Sequence, residues 1–317
     1  MPTLDLHQST SLVKALVLGN SKSGKTGGMA SLVKAGYHFG IVDMDNLLDP
    51  LRGFVLRECP DRIKNVHFVT FRDEYKPGPD GPTIKGTPKA FNQAMKIMDH
   101  WRTEDEDLGC PADWGPDWIF VIDSLSRLCD AAYNYFEPIS GKGGRGQDKR
   151  AVYGDAQKAI EKVLANVTGE GFRTNVLVIG HLLYQSELDP SGAEILKAYP
   201  QGVGQKLSPK IPQYFPSVVH FYNKAGKRTL RTNSTPLLDL ANPKPFEMSK
   251  EMPIETGLAE FFAVLRDKEP DNASRNIQTK EESSPETETT MESPQPSTRR
   301  SFTSSRKIPV NTVRGTV

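Results

Sequence analysis

A chain of 317 residues has room for one large domain with appendages or for two small ones. Hydrophobic residues make up 37% of it, below the usual apolar share even allowing for glycine, so part of the chain is expected not to pack. The 40 Lys and Arg nearly cancel the 39 Asp and Glu to leave a formal charge of +1, which excludes a uniformly basic nucleic-acid coat. Cys59, Cys110 and Cys129 are widely spaced with no C-x-x-C, which argues against a disulfide framework or a zinc knuckle and suits a reducing cytosol. No apolar run approaches the roughly 18 residues of a membrane span. Met1 to Lys14 carries Asp5 and polar residues where a signal peptide needs an apolar stretch. A soluble, cytoplasmic protein without membrane contact is the expectation.

In chain order, Lys14 to Leu18 reads as a buried strand that stops at Gly19, Thr26 to Ala35 as a helix, and Tyr37 to Val42 as a second strand ending at Asp43. Arg62 to Phe71 suggests a third strand. The Pro- and Gly-rich stretch from Arg72 to Pro88 reads as a loop, and Lys89 to Glu104 as a helix with Phe91, Ala94, Met95 and Met98 at helical spacing. Trp118 to Ile122 is the strongest strand, closed by Asp123-Ser124, and Leu125 to Phe136 continues as a helix. A glycine-rich basic segment, Ser140 to Arg150, precedes a helix over Ala151 to Val167 and a buried strand over Asn175 to Ile179, which ends at Gly180-His181. Val218 to Tyr222 and Arg228 to Arg231 read as a hairpin, and Ile254 to Arg266 as the last helix. Strands and helices alternating at this spacing predict an α/β fold, a mainly parallel sheet flanked by helices, over residues 12–266. Residues 1–11 form a short extension. From Asp267 onward Ser, Thr, Pro and Glu dominate and apolar residues are scattered, so 267–317 reads as a disordered tail. Its acids cluster before Glu292, and Arg299, Arg300, Arg306, Lys307 and Arg314 follow, a polarity that suits a solvated spacer or a tether for a partner protein.

Gly19-Asn20-Ser21-Lys22-Ser23-Gly24-Lys25-Thr26 fits G-x-x-x-x-G-K-[ST] without a mismatch, after a buried strand and at a helix start. That context is what phosphate binding needs: the two glycines let the loop turn its N–H groups inward, and the helix N-terminus adds unpaired donors. Lys25 would reach the β- and γ-phosphates, and Thr26 would ligate Mg²⁺. A second metal anchor is available where Ile119-Phe120-Val121-Ile122 delivers Asp123, provided that this strand lies beside the one leading into the loop. A helix cap is the alternative role for Asp123.

Asp123 is followed by Ser124, so the familiar Asp-Glu pair at the end of that strand is missing. The segment Ile41-Val42-Asp43-Met44-Asp45-Asn46-Leu47-Leu48-Asp49-Pro50 resembles the RecA-like recombinase ATPases, in which a strand ends with an acid, one intervening residue and the catalytic glutamate. The resemblance implies that Asp45, one methylene shorter, is the catalytic carboxylate, with Asp43 as its competitor. It also puts His181 at the γ-phosphate-sensing position at the end of the strand after the Walker B strand, where a structural histidine is the alternative. Gly202 to Pro212 looks like a segment of phage-encoded RecA-like ATPases that include the Sak-type single-strand annealing proteins. There Lys206 and Lys210 would reach the γ-phosphate in a neighbouring subunit or else be solvated surface lysines. The resemblance covers about Leu12 to Thr232. It implies ATP and Mg²⁺ as cofactors, a homo-oligomer, and single-stranded DNA as partner, bound by two loops. One loop is Gly141 to Arg150, with Lys142, Arg145, Lys149 and Arg150; the other is Leu182 to Tyr214, with Tyr184, Tyr199 and Tyr214 as stacking faces. The resulting expectation is an ATPase acting on single-stranded DNA in recombination or annealing. A nucleotide or small-molecule kinase and a nucleotide-gated module with little turnover are the alternatives.

Overall fold

The computed structural model describes residues 11–79, 81–140 and 149–266. In chain order they form β1 (Lys14–Leu18), α1 (Lys25–Gly28), α2 (Ala30–Lys34), β2 (His38–Asp43), α3 (Asp49–Glu58) and, after a 3-10 turn, β3 (Val66–Thr70). The small strands β4 (Tyr75–Lys76) and β5 (Thr83–Ile84) precede α4 (Ala90–Asp99), and β6 (Trp101–Arg102) and β7 (Asp107–Gly109) follow it. Next come β8 (Trp118–Asp123), α5 (Leu125–Ser140), α6 (Lys149–Thr168), β9 (Asn175–Gly180), β10 (Leu182–Leu188), β11 (Glu194–Pro200) and α7 (Gly204–Leu207). A 3-10 turn leads to β12 (Ser217–Lys224), β13 (Lys227–Arg231), β14 (Glu251–Pro253) and α8 (Gly257–Leu265).

Eight strands make one sheet in the order β14-β13-β12-β1-β9-β8-β2-β3, parallel from β12 to β3, with β13 and β14 antiparallel at one edge. The fold is therefore α/β, a P-loop NTPase core with a mainly parallel sheet. Its central strands are apolar on both faces because helices cover both. On one face Leu16, Leu18, Phe120, Ile122, Val176 and Val178 meet α4, α5 and α6. On the other, Ala15, Val17, Ile119, Val121, Leu177 and Ile179 meet α2, α3 and α8. The alternation has period two within each strand, which is why Phe120 and Val121 belong to different cores.

Several expectations change. β9 lies between β1 and β8, so the strand that carries Asp123 does not adjoin the strand that enters the loop. The first helix is broken at Met29 into α1 and α2. The fourth ends at Asp99 rather than Glu104, because His100 turns extended and sends the fully buried Trp101 into β6. The 3-10 turn Pro60–Asn65 takes the first half of the expected third strand. Leu182 to Tyr214 is not a loop: β10 and β11 pair as an antiparallel ribbon over most of it. The segment 141–148, with Lys142 and Arg145, and the tail 267–317 lie outside the described residues. Among the described residues no helix is long and apolar enough to cross a membrane.

Lys14 is a charged residue inside this core, 5% exposed. Its Nζ donates to the carbonyls of Val167 at 3.1 Å, Thr174 at 2.8 Å and Phe172, and lies 4.8 Å from the centre of the Phe172 ring. A helix leaves its last carbonyls without intrahelical donors, so one ammonium satisfies the end of α6 and fastens it to β1. Lys14→Met keeps the volume but leaves these acceptors unpaired, so we expect a loss of about 2–4 kcal/mol, read as a fall in Tm on thermal denaturation.

Candidate nucleotide site

The carboxyl ends of the parallel strands open on one side of the sheet, and the chain leaves β1 and β9 in opposite directions there, the point at which open α/β sheets bind ligands. The loop of residues 19–26 turns over the end of β1. Gly24 has a φ of 102°, a left-handed conformation that an L side chain rarely adopts, and caps α1. At Gly19 a Cβ would collide with the carbonyl oxygen of Phe221 on β12 and stand 2.6 Å from Ser23 Oγ, so glycine is required there by space. Lys25 is 6% exposed, and its Nζ donates to the carbonyls of Gly19 and Asn20, both at 2.9 Å. Burial lowers its pKa to about 8 against the opposing pull of Asp123 and Asp45.

Although β9 intervenes, Asp123 still reaches the loop: Thr26 Oγ1 donates to Asp123 Oδ2 at 2.8 Å. Burial raises the Asp123 pKa to about 6, the Thr26 hydroxyl opposes that rise, and the charges of Asp45 and Asp43 reinforce it. Asp43 stands directly across from Asp123 in the β2–β8 register. Its Oδ1 accepts from the N–H groups of Asp45 at 3.1 Å and Asn46 at 2.7 Å, and its Oδ2 from the Thr70 hydroxyl at 2.9 Å. Both oxygens of Asp43 therefore hold the turn after β2 and the end of β3. That turn presents Asp45, whose side chain keeps 12% exposure.

Asp45 lies between an imidazole and a guanidinium, with Oδ2 3.6 Å from His181 Nε2 and Oδ1 3.5 Å from Arg127 Nε. Burial pushes its pKa up, yet the His181 and Ser124 hydrogen bonds and the His181 and Arg127 charges outweigh that and hold it below the usual carboxylate value. The other ring nitrogen of His181, Nδ1, is 3.5 Å from Lys25 Nζ, and the His181 N–H donates to Ser126 Oγ at 3.1 Å. Lys25, His181 and Asp45 thus form one continuous contact path, built from the ends of β1, β9 and β2. Asn20 Nδ2 donates to the Tyr184 hydroxyl at 2.8 Å, joining the loop to the base of the β10–β11 ribbon.

This arrangement suits a nucleoside triphosphate with Mg²⁺. The Ser23 hydroxyl is buried in the loop without a hydrogen-bond partner, as expected of a group that faces phosphate oxygen. Among the described residues no cluster of three or more His, Cys, Asp or Glu forms a metal cage. Mg²⁺ needs none, since it takes one or two protein oxygens and completes its shell with phosphate and water. Thr26 and Asp123 are the oxygens at hand.

The AAA domain family matches residues 12–240. The chain belongs to that family. The match spans the loop, the ends of β2, β8 and β9, and the β10–β11 ribbon, so in this AAA domain the family's nucleotide-binding character falls on the constellation described above. No curated protein matches the chain. Among solved structures, the ATPase EscN of the enteropathogenic E. coli type III secretion system, assembled with its stalk EscO, is similar at 10% identity with a TM-score of 0.37, covering 88% of this chain and 57% of that one. EscN assembled without the stalk gives 13% identity and a TM-score of 0.32 over 66% of this chain and 43% of that one. The AAA domain protein thus spans about half the length of the solved chains it resembles, and a likeness of that size adds nothing to the topology of its own sheet.

The remaining expected residues lie apart from this centre. Lys149 and Arg150 open α6. Lys206 is exposed on α7, and Lys210 on the following turn donates to Glu161 Oε1 at 3.3 Å. Tyr199 and Tyr214 are half-buried, and Tyr214 packs against the core. Arg127 carries no signal in the sequence, being an ordinary arginine in the first turn of a helix. A folded neighbour, Asp45, is what makes it conspicuous.

Two outcomes test the site. Lys25→Ala removes the charge at the centre of the loop, and nucleotide binding measured by calorimetry should be lost. Asp123 must be ionised to hold the metal, so Mg²⁺-dependent nucleotide affinity should be level above pH 7 and fall below about pH 6, by roughly tenfold per pH unit while one proton competes. Asp123→Asn should abolish that pH dependence together with most of the Mg²⁺ requirement.

Proposed function

We propose that this AAA domain protein is a Mg²⁺-dependent ATPase of the RecA-like type that acts on single-stranded DNA in recombination or annealing, as the phage Sak-type annealing ATPases do. The observation that carries the hydrolytic part is the position of Asp45. It is the partly exposed carboxylate at the end of β2, in contact with His181, which in turn lies beside Lys25. Asp43 is engaged by the backbone and Thr70, so Asp45 is the group able to take a proton from an attacking water.

In this reading the loop N–H groups and Lys25 bind and neutralise the β- and γ-phosphates, and Thr26 and Asp123 hold Mg²⁺, which supplies further charge neutralisation when bound. Asp45 orients the water and accepts its proton, and its lowered pKa keeps it ionised to do so. His181, freed from Lys25 once that ammonium turns to phosphate, donates to the γ-phosphate and relays the nucleotide state to β10, which follows it in the chain. Lys206 is exposed and Lys210 is held at the surface by Glu161, and we propose a homo-oligomer in which both act in trans on a neighbouring copy. The tail beyond residue 266 would tether a partner protein, and the setting would be the cytoplasm, that of the host if the protein is phage-encoded.

A second reading, a nucleotide-gated module with little turnover, is favoured by one observation: both oxygens of Asp45 are engaged, one by the His181 ring and one by Arg127. Steady-state ATP hydrolysis with Mg²⁺, with and without single-stranded DNA and with Lys25→Ala as the blank, separates the readings. DNA-stimulated turnover is expected. Turnover indifferent to DNA would favour a kinase or another motor, and tight ATP binding without turnover the gated module. Asp45→Asn should leave ATP affinity within a few-fold and lower kcat by about a hundredfold or more. Full turnover in that variant would remove Asp45 from the mechanism.

A further inference from the structure

Arg127 faces two ways. On one side it touches Asp45; on the other its Nη1 meets Asp130 Oδ2 at 3.2 Å, and both residues line a groove of about 360 Å³ between α5 and the segment that follows β3. The groove begins at Met44, next to Asp45, and Tyr75, Tyr133 and Tyr153 stand along it. Tyr75 is 60% exposed and Tyr153 42% exposed, so apolar ring faces are left to solvent beside the candidate catalytic carboxylate. The Tyr133 and Tyr153 rings are 4.8 Å apart at 50°, and the Tyr75 hydroxyl accepts from Asn134 Nδ2 at 3.3 Å, which fixes its ring against α5.

Two acids and two guanidinium groups line the groove, and Lys149 adds a cation nearby. Of its two acids, Asp73 is occupied in capping α4, where its Oδ1 accepts from the N–H groups of Lys89 at 2.8 Å and Ala90 at 3.1 Å. Asp130 is offset by Arg127. Arg72 is exposed on the rim, and Lys149 lies four residues before Tyr153 on α6, hence on the same helix face. Exposed aromatic faces interleaved with guanidinium and ammonium groups are what a single strand uses: bases stack on the rings and phosphates meet the cations.

Resting on the reading of the protein as a DNA-dependent ATPase, we propose that this groove is its single-stranded DNA site, and that a phosphodiester bound there draws Arg127 away from Asp45. With the groove empty, Arg127 occupies Asp45 Oδ1, one of the two oxygens that a water would approach. A phosphate competes for the same guanidinium, and Asp45 then has an oxygen free to orient water. Arg127 is a positioning residue in this scheme, and DNA stimulation of turnover is its consequence. The groove is formed by described residues, separate from the ribbon 182–200.

The test uses the full chain, binding of a fluorescently labelled oligodeoxythymidylate followed by anisotropy with ATP and Mg²⁺ present, and kcat and KM for ATP with and without that strand. Tyr153→Ala and Arg72→Gln should each weaken the strand roughly tenfold, and Tyr153→Phe, which keeps the ring, should bind as the parent does. Arg127→Gln should raise kcat in the absence of DNA, leave KM for ATP in place, and reduce stimulation by DNA towards one. A merely structural arginine would lower both activities together. If the parent binds no strand, the DNA reading itself falls. If the parent binds and the groove variants bind equally well, the groove is overturned while the DNA reading stands. Displacement of the strand by dTMP at equal phosphate concentration would assign the groove to a mononucleotide substrate and overturn the proposal. Unchanged DNA stimulation in Arg127→Gln would overturn the coupling.

Discussion

Three carboxylates that cannot all be left to repel one another organise this site. The β2–β8 register sets Asp43 directly across from Asp123, and the turn after β2 brings Asp45 into the same space. Like charges this close raise one another's pKa unless each finds a different compensation. Asp43 is met by two backbone N–H groups and a threonine, Asp45 by a histidine, a serine and an arginine, and Asp123 by the Thr26 hydroxyl and the charge of Lys25. Burial, reinforced by the charges of Asp45 and Asp43, raises the Asp123 pKa to about 6, and this carboxylate stands where a divalent cation would relieve it. The division of labour among three chemically equivalent groups follows from their neighbours alone.

The same constraint explains why so many separate segments are needed. Lys25 comes from the end of β1, Asp45 from β2, Asp123 from β8 and His181 from β9, and β12 supports the loop from behind through the Phe221 carbonyl beside Gly19. Parallel strands deliver all these ends to one side of the sheet, and the helices that cross between them bury both faces, so the strand ends are held by the two cores described above. Contacts then leave the centre in two directions. Asn20 and His181 lead to the base of the β10–β11 ribbon, and Arg127 leads through Asp130 into the tyrosine-lined groove. The phosphate loop and Asp45 are thus each joined by contacts to a separate surface.

Legibility in the sequence tracked how local the cause of each element was. β1, β8 and β9 are legible to within a residue because burial on both faces leaves an unbroken apolar run between polar residues at the strand ends, Lys14, Asn175 and Asp123. α3 carries little helical signal although Asp49-Pro50 is a helix-start pair, because Gly53 and the charged Arg52, Arg57 and Glu58 leave Leu51 and Val55 as its buried stripe. The β10–β11 ribbon carries no local strand signal because its strands are largely outside the core and owe their order to pairing with each other, which no local window contains. Trp101 looked helical by spacing, and it is tertiary burial that ends α4 before it.

By itself the sequence determined the nucleotide loop, the alternation of strand and helix, the acids at the strand ends and the family resemblance, since each is written in residues adjacent along the chain. The tertiary structure alone decided that β9 separates β1 from β8 while Thr26 and Asp123 still meet, and that Asp43 serves the backbone while Asp45 faces the cleft. It alone brought Arg127 to Asp45 and set three tyrosines along one groove. The physical reason is range: a strand or a phosphate loop is specified by neighbours a few residues away. Which carboxylate is paired, buried or free depends on side chains that arrive from more than 80 residues along the chain, as Arg127 and His181 do at Asp45.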